Sequence, residues 1–117
     1  DMGAAYLLPR VVGLAKATEL LFTGDFISAA EAKRIGLYNR VVPERQLVET
    51  TRELAERLAR GPGFALAKTK EMLNREMHMN LDAALASEAQ AQAICMLHPD
   101  YREAYEAFVD KRDARFK

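Results

Sequence analysis

The chain has no spare charge. Its 117 residues carry 17 Lys and Arg against 17 Asp and Glu, a formal net charge of zero at pH 7. That argues against a nucleic-acid partner held by bulk electrostatics, because neutralising phosphates takes a basic excess. Cysteine is nearly absent: Cys95 stands alone between Ile94 and Met96, so an internal disulfide is excluded. An apolar setting suits a reduced, packed thiol in a cytoplasmic protein. No apolar run approaches the length of a membrane span, so no membrane partner is expected. No signal peptide is legible either, since Asp1-Met2-Gly3 lacks a basic stretch ahead of an apolar one. The first residue is not methionine, and we expect the protein to continue upstream. His78 and His98 have no metal-ligand spacing, and no metal site is expected.

What is present is helix after helix. Half the residues are apolar, and 117 residues suffice for one small domain. The first apolar stretch, Met2 to Val12, should end or kink at Pro9, which lacks a backbone donor. Leu14 to Phe22 follows and closes at Gly24, a glycine C-cap. Ser28-Ala29-Ala30-Glu31 has the form of a capping box, with a short helix after it that stops at Gly36. Leu37 to Val42 is the one strand-like piece, with β-branched Val41 and Val42 before Pro43.

Gln46 to Arg60 is amphipathic, with Leu47, Leu54, Ala55 and Leu58 on one stripe. Gly61-Pro62-Gly63 breaks it. A helix from about Phe64 to Met77 follows, then one from Leu81 to Leu97 capped by Asn80. The last has Pro99 in its first turn. Along it Tyr101, Ala104, Tyr105 and Phe108 recur at i, i+3, i+4 and i+7. The fold class expected is mostly α, with one short strand.

Three stretches together resemble the crotonase (enoyl-CoA hydratase/isomerase) family. The first is Asp1-Met2-Gly3-Ala4-Ala5-Tyr6-Leu7-Leu8-Pro9-Arg10-Val11-Val12-Gly13. The second runs from Leu21-Phe22-Thr23-Gly24 through Ile27-Ser28-Ala29-Ala30-Glu31-Ala32 to Gly36-Leu37-Tyr38-Asn39-Arg40-Val41-Val42-Pro43, and is the most specific. The third is Ala107-Phe108-Val109-Asp110-Lys111-Arg112 with Phe116 near the end. The resemblance implies the C-terminal helical portion of a crotonase-like α/β fold. Residues 1–60 would flank the acyl pocket; residues 61–117 would serve oligomerisation and cover coenzyme A. Family members stabilise a thioester enolate with two backbone N–H groups, an oxyanion hole. Both donors would lie upstream of Asp1, so these residues alone would be inactive.

The resemblance also supplies candidate site residues. Asp1 matches the position where several isomerases of the family carry a proton-shuttling aspartate, a role that a raised pKa beside a desolvated acyl pocket would suit. The structural alternative is a plain N-cap for a helix beginning at Met2. Phe108 and Lys111 match an aromatic and a lysine that lie against the adenine and phosphate end of coenzyme A, often across a subunit boundary. Spacing of i, i+3 would put them on one helical face; the alternative is a core phenylalanine and a solvated lysine. Ala4 stands where glycine is common and Leu7 where arginine is common, which favours a larger or unusual acyl group. The coenzyme A thioester would be the substrate, with no covalently bound cofactor. The partners implied are copies of the same chain, as a trimer or a dimer of trimers. A rival reading is a non-catalytic helical assembly module.

Overall fold

A computed structural model describes residues 2–116. They form seven α-helices: α1 Ala4–Val12, α2 Leu14–Thr23, α3 Ala29–Arg34, α4 Glu44–Ala59, α5 Gly63–Arg75, α6 Leu81–Met96 and α7 Pro99–Val109, with a short 3-10 turn at Glu76–His78 between α5 and α6. The chain divides into two units, Asp1–Leu47 and Val48–Lys117, with the division inside the first turn of α4.

In the first unit α1 packs against α2. The N-cap of α1 is Gly3, at φ +94° and without a side-chain capping bond. The helix therefore begins two residues later than a start at Met2 would have it, and the cap position falls to glycine. Asp1 itself lies outside the described residues. Pro9 does not end α1, which continues to Val12. One backbone bond is forfeited, and the Pro9 carbonyl still accepts from the Gly13 amide at 3.0 Å. Gly24 closes α2 in the left-handed region at φ +67°.

Half of the expected capping box forms at α3. The Ser28 hydroxyl accepts from the Glu31 amide at 3.1 Å, but the Glu31 carboxylate turns to Arg34, at 2.6 Å for each of two bonds. A bidentate charged partner outcompetes a neutral amide. The pairing holds the Glu31 carboxyl below its usual range. Glu31 also comes within 3.8 Å of Lys16 on α2, which ties α3 to its neighbour.

The expected strand at Leu37 to Val42 does not form; that stretch is irregular. The backbone donors at its start are spent on closing α3. Gly36, at φ +81°, is the left-handed residue of a Schellman motif. Its N–H donates to the Lys33 carbonyl at 3.1 Å, and the N–H groups of Leu37 and Tyr38 both donate to the Ala32 carbonyl at 2.8 and 3.1 Å. A lone β-branched pair with no second strand among the described residues has nothing to pair with.

In the second unit the most extensive packing joins neighbours in the sequence, α5 with the 3-10 turn, α5 with α6, and α6 with α7. Asn80 caps α6, its side chain accepting from the Ala83 amide at 2.9 Å. The buried face of α7 is Asp100 and Ala107, whereas the stripe Tyr101, Ala104, Tyr105 and Phe108 is exposed. The helical spacing of that stripe is as the sequence has it, but this chain does not cover it. The inward face is narrow, and Tyr105 and Phe108 stay well exposed among the described residues.

The core is correspondingly thin. The buried apolar residues are Ala17, Ala32 and Ala107. The leucines of the α4 stripe are exposed.

Candidate functional site

The best-formed features lie at the two ends of α7. At its start His98 is the N-cap residue and Pro99 the first helical residue. Proline fits there because its missing donor would have had no partner. His98 Nδ1 accepts from the Asp100 amide at 3.3 Å and stands 3.3 Å from the Asp100 carboxylate. Its ring stacks on Phe64 of α5, with centroids 4.5 Å apart and planes 6° from parallel. A pocket of about 160 Å³ opens beside this stack, lined by Phe64, Cys95, His98, Tyr101, Ala104 and Phe116, among others. Cys95 is half-buried on its wall, not sealed in a core.

At the other end α7 closes in a second Schellman motif. Asp110 is the C-cap, Lys111 takes the left-handed conformation at φ +55°, and the chain then turns back. The Lys111 N–H donates to the Phe108 carbonyl at 3.3 Å and the Arg112 N–H to the Ala107 carbonyl at 3.0 Å. A lysine in this position is disfavoured relative to glycine. A clamp closes over the turn. Arg112 donates to both oxygens of Glu103, at 2.6 and 3.2 Å. The Arg115 amide donates to the same carboxylate at 2.7 Å, and Arg112 Nε lies 3.6 Å from Asp110. The Arg112 guanidinium, and next the Arg115 amide, lower the Glu103 carboxyl to about 2.

Phe108 and Lys111 are therefore brought together, but not in the way expected. Lys111 lies past the end of α7, so the two do not share a helical face; they are joined by the left-handed turn. Phe108 is 83% exposed, which removes the core alternative within this chain. Among the described residues Lys111 pairs with no carboxylate, whereas Arg112 beside it is engaged by Glu103 and Asp110.

Glu103 and Arg112 were not singled out by the sequence. They are nine residues apart, outside the i, i+3 and i, i+4 windows in which helical ion pairs are sought. The bend at Lys111 makes the contact, and a bend at a lysine leaves no glycine to mark it. The Phe64–His98 stack was equally hidden, since it joins two helices.

A second, smaller pocket of about 80 Å³ between α5 and α6 is lined by Lys68, Glu71, Arg75 and Gln90, among others. Glu71 pairs with Lys68 at 2.8 Å and with Arg75 at 3.1 Å, and those bonds lower its carboxyl. The two cations there are thereby answered. Among the described residues no group of three or more His, Cys, Asp or Glu side chains could share a metal ion, and no helix is long and apolar enough to cross a membrane.

Comparison with known proteins settles the class. The profile of the family described as Enoyl-CoA hydratase/isomerase matches residues 1–117, and the chain belongs to that family. It is 38% identical over 110 residues to a short-chain-enoyl-CoA hydratase of Clostridium acetobutylicum, covering 94% of this chain and 42% of that protein. It is 37% identical over 116 residues to a 1,2-epoxyphenylacetyl-CoA isomerase of Escherichia coli K12, covering 99% and 45%. A solved structure from Streptomyces coelicolor A3(2), assigned provisionally as an enoyl-CoA hydratase, is 50% identical with a TM-score of 0.96, over 100% of this chain and 42% of that one. The chain spans less than half the length of these relatives.

Proposed function

We propose that the protein carrying this chain acts on an acyl-CoA thioester through an oxyanion-stabilised enolate, adding water to a 2-enoyl-CoA or moving a double bond. The match of the family along all 117 residues carries this reading. Relatives named as a hydratase and as an isomerase stand at nearly the same identity, which supports the joint class. Asp1 is the proposed proton shuttle. Phe108 and Lys111 are the proposed coenzyme A contacts. The exposed ring beside an unanswered ammonium at the end of α7 supports that role, since the two offer an apolar plate and a point charge for an adenine and a phosphate. No covalently bound cofactor is required. Residues 1–60 flank the acyl pocket, and residues 61–117 cover coenzyme A and serve assembly as a trimer or a dimer of trimers in the cytoplasm.

The test is steady-state turnover of the full-length protein on crotonyl-CoA and on a 3-enoyl-CoA. Turnover of at least one is expected. The 117-residue chain alone should turn over neither, because the oxyanion donors are proposed to lie upstream, and losing one such donor costs roughly 10²–10³ in kcat. A full-length protein inert on both substrates would instead favour the non-catalytic assembly module.

A further inference from the structure

Lys111 is held in a conformation that it would not choose. Its φ of +55° places the Cβ against the following carbonyl, which is why glycine dominates this position in helix ends. Two backbone bonds close the turn, but the 3.3 Å bond from Lys111 to Phe108 is long for an amide donor. The stronger restraint is the clamp. Glu103 sits on α7 itself, and its carboxylate collects the Arg112 guanidinium in a two-point contact together with the Arg115 amide. Arg112 in turn reaches Asp110. The residues on either side of Lys111 are thus drawn into one ionic network. Lys111 stays outside it, with its ammonium unanswered among the described residues.

We propose that Glu103 is a positioning residue: by holding Arg112 it fixes the left-handed turn that presents the Lys111 ammonium to a phosphate of the coenzyme A thioester. The inference rests on the Lys111 reading given above. It gives the Glu103–Arg112 pair a role in substrate affinity, not in the chemical step. A two-point guanidinium contact is suited to that task because it fixes orientation as well as distance.

The experiment uses the full-length protein and two substrates with the same acyl group, the coenzyme A thioester and the pantetheine thioester, which lacks every phosphate. Glu103→Gln should raise KM for the coenzyme A thioester by roughly 3- to 10-fold with kcat nearly unchanged, the signature of lost uniform binding. KM for the pantetheine thioester should not move. Lys111→Ala should do the same, and the double variant should be no worse than Lys111→Ala alone, because both changes remove one contact. The exchanged pair Glu103→Arg with Arg112→Glu should restore much of the affinity. Should Glu103→Gln not fold, Arg112→Lys, which keeps the charge but loses the fork, is expected to give the same split between substrates.

Other outcomes overturn the proposal in distinguishable ways. If Lys111→Ala leaves both KM values unchanged, the Lys111 reading fails and the positioning role falls with it. If Lys111→Ala raises KM for coenzyme A while neither Glu103→Gln nor Arg112→Lys does, Lys111 binds phosphate without help from Glu103. An equal rise on both thioesters, or a further rise in the Lys111→Ala background, would mean that the pair only supports the fold.

Discussion

Glu103 accepts three hydrogen bonds from two residues beyond the end of its own helix, and its acid behaviour follows. A carboxyl lowered in the folded state from 4.5 to about 2 contributes stability that is fully present above the unfolded value. That contribution is lost as pH falls from about 4.5 towards 2. The difference in melting temperature between the wild-type protein and Glu103→Gln should be largest near neutral pH, shrink below pH 4.5 and vanish near pH 2. A difference independent of pH over that range would assign the effect to packing. Asp1 makes a second prediction at this scale. Because the N-cap of α1 is Gly3, Asp1→Asn should leave the melting curve of the full-length protein almost unmoved. Loss of a general acid–base group should cut turnover by roughly 10²–10⁴. Near-normal turnover on both a 2-enoyl and a 3-enoyl thioester would sink the shuttle role; collapse of isomerisation with hydration spared would select the isomerase branch.

The two Schellman closures make opposite predictions at the scale of the element. Gly36 and Lys111 occupy the same position after α3 and α7, both at positive φ. A Cβ built on Gly36 would stand 3.9 Å from the Val11 carbonyl oxygen, an ordinary contact, so the cost of Gly36→Ala is conformational, about 1 kcal/mol. Lys111→Gly should stabilise the backbone by up to about 1 kcal/mol, even as it removes the ammonium. Paired urea titrations on the full-length protein would read both, and the same sign for the two would contradict this account. Helix ends of this kind were legible wherever their chemistry is local. Ser28, Asn80, Pro99, Gly24 and the Gly61-Pro62-Gly63 break all act within a few residues, and each punctuates the chain where the sequence places it. The strand at Leu37–Val42 was misjudged because a β-branched pair carries no information about whether a partner strand exists. The facing of α7 was not legible, because periodicity reports that a helix has an apolar stripe and not which stripe this chain covers. Of the site, the pairing of Phe108 with Lys111 was legible only through resemblance. The clamp that shapes it depends on a bend at a lysine, for which the sequence holds no local signal.

For the molecule as a whole the decisive quantity is surface. Full burial among the apolar residues is confined to alanines, and the leucines of α4 and the aromatics of α7 are exposed, which leaves those stripes without a cover among the described residues. In the assembly proposed above, the rest of the polypeptide or further copies of it would cover them. Light scattering should accordingly give the full-length protein as a trimer or a dimer of trimers, and the 117-residue chain alone as associated material. A clean monomer of that chain at high concentration would count against the assembly role. The pairing of consecutive helices has a kinetic consequence too. Contacts between sequence neighbours close short loops, so α1 with α2 and α5 with α6 can form within microseconds of collapse. In the proposed assembly, covering the aromatic stripe of α7 waits for surfaces distant in sequence or carried by another chain, a step that takes milliseconds to minutes and, between chains, quickens with concentration. During that interval the stripe is exposed on a helix that is already formed, which makes it a natural hold for a chaperone and the first place where crowded chains would stick to one another.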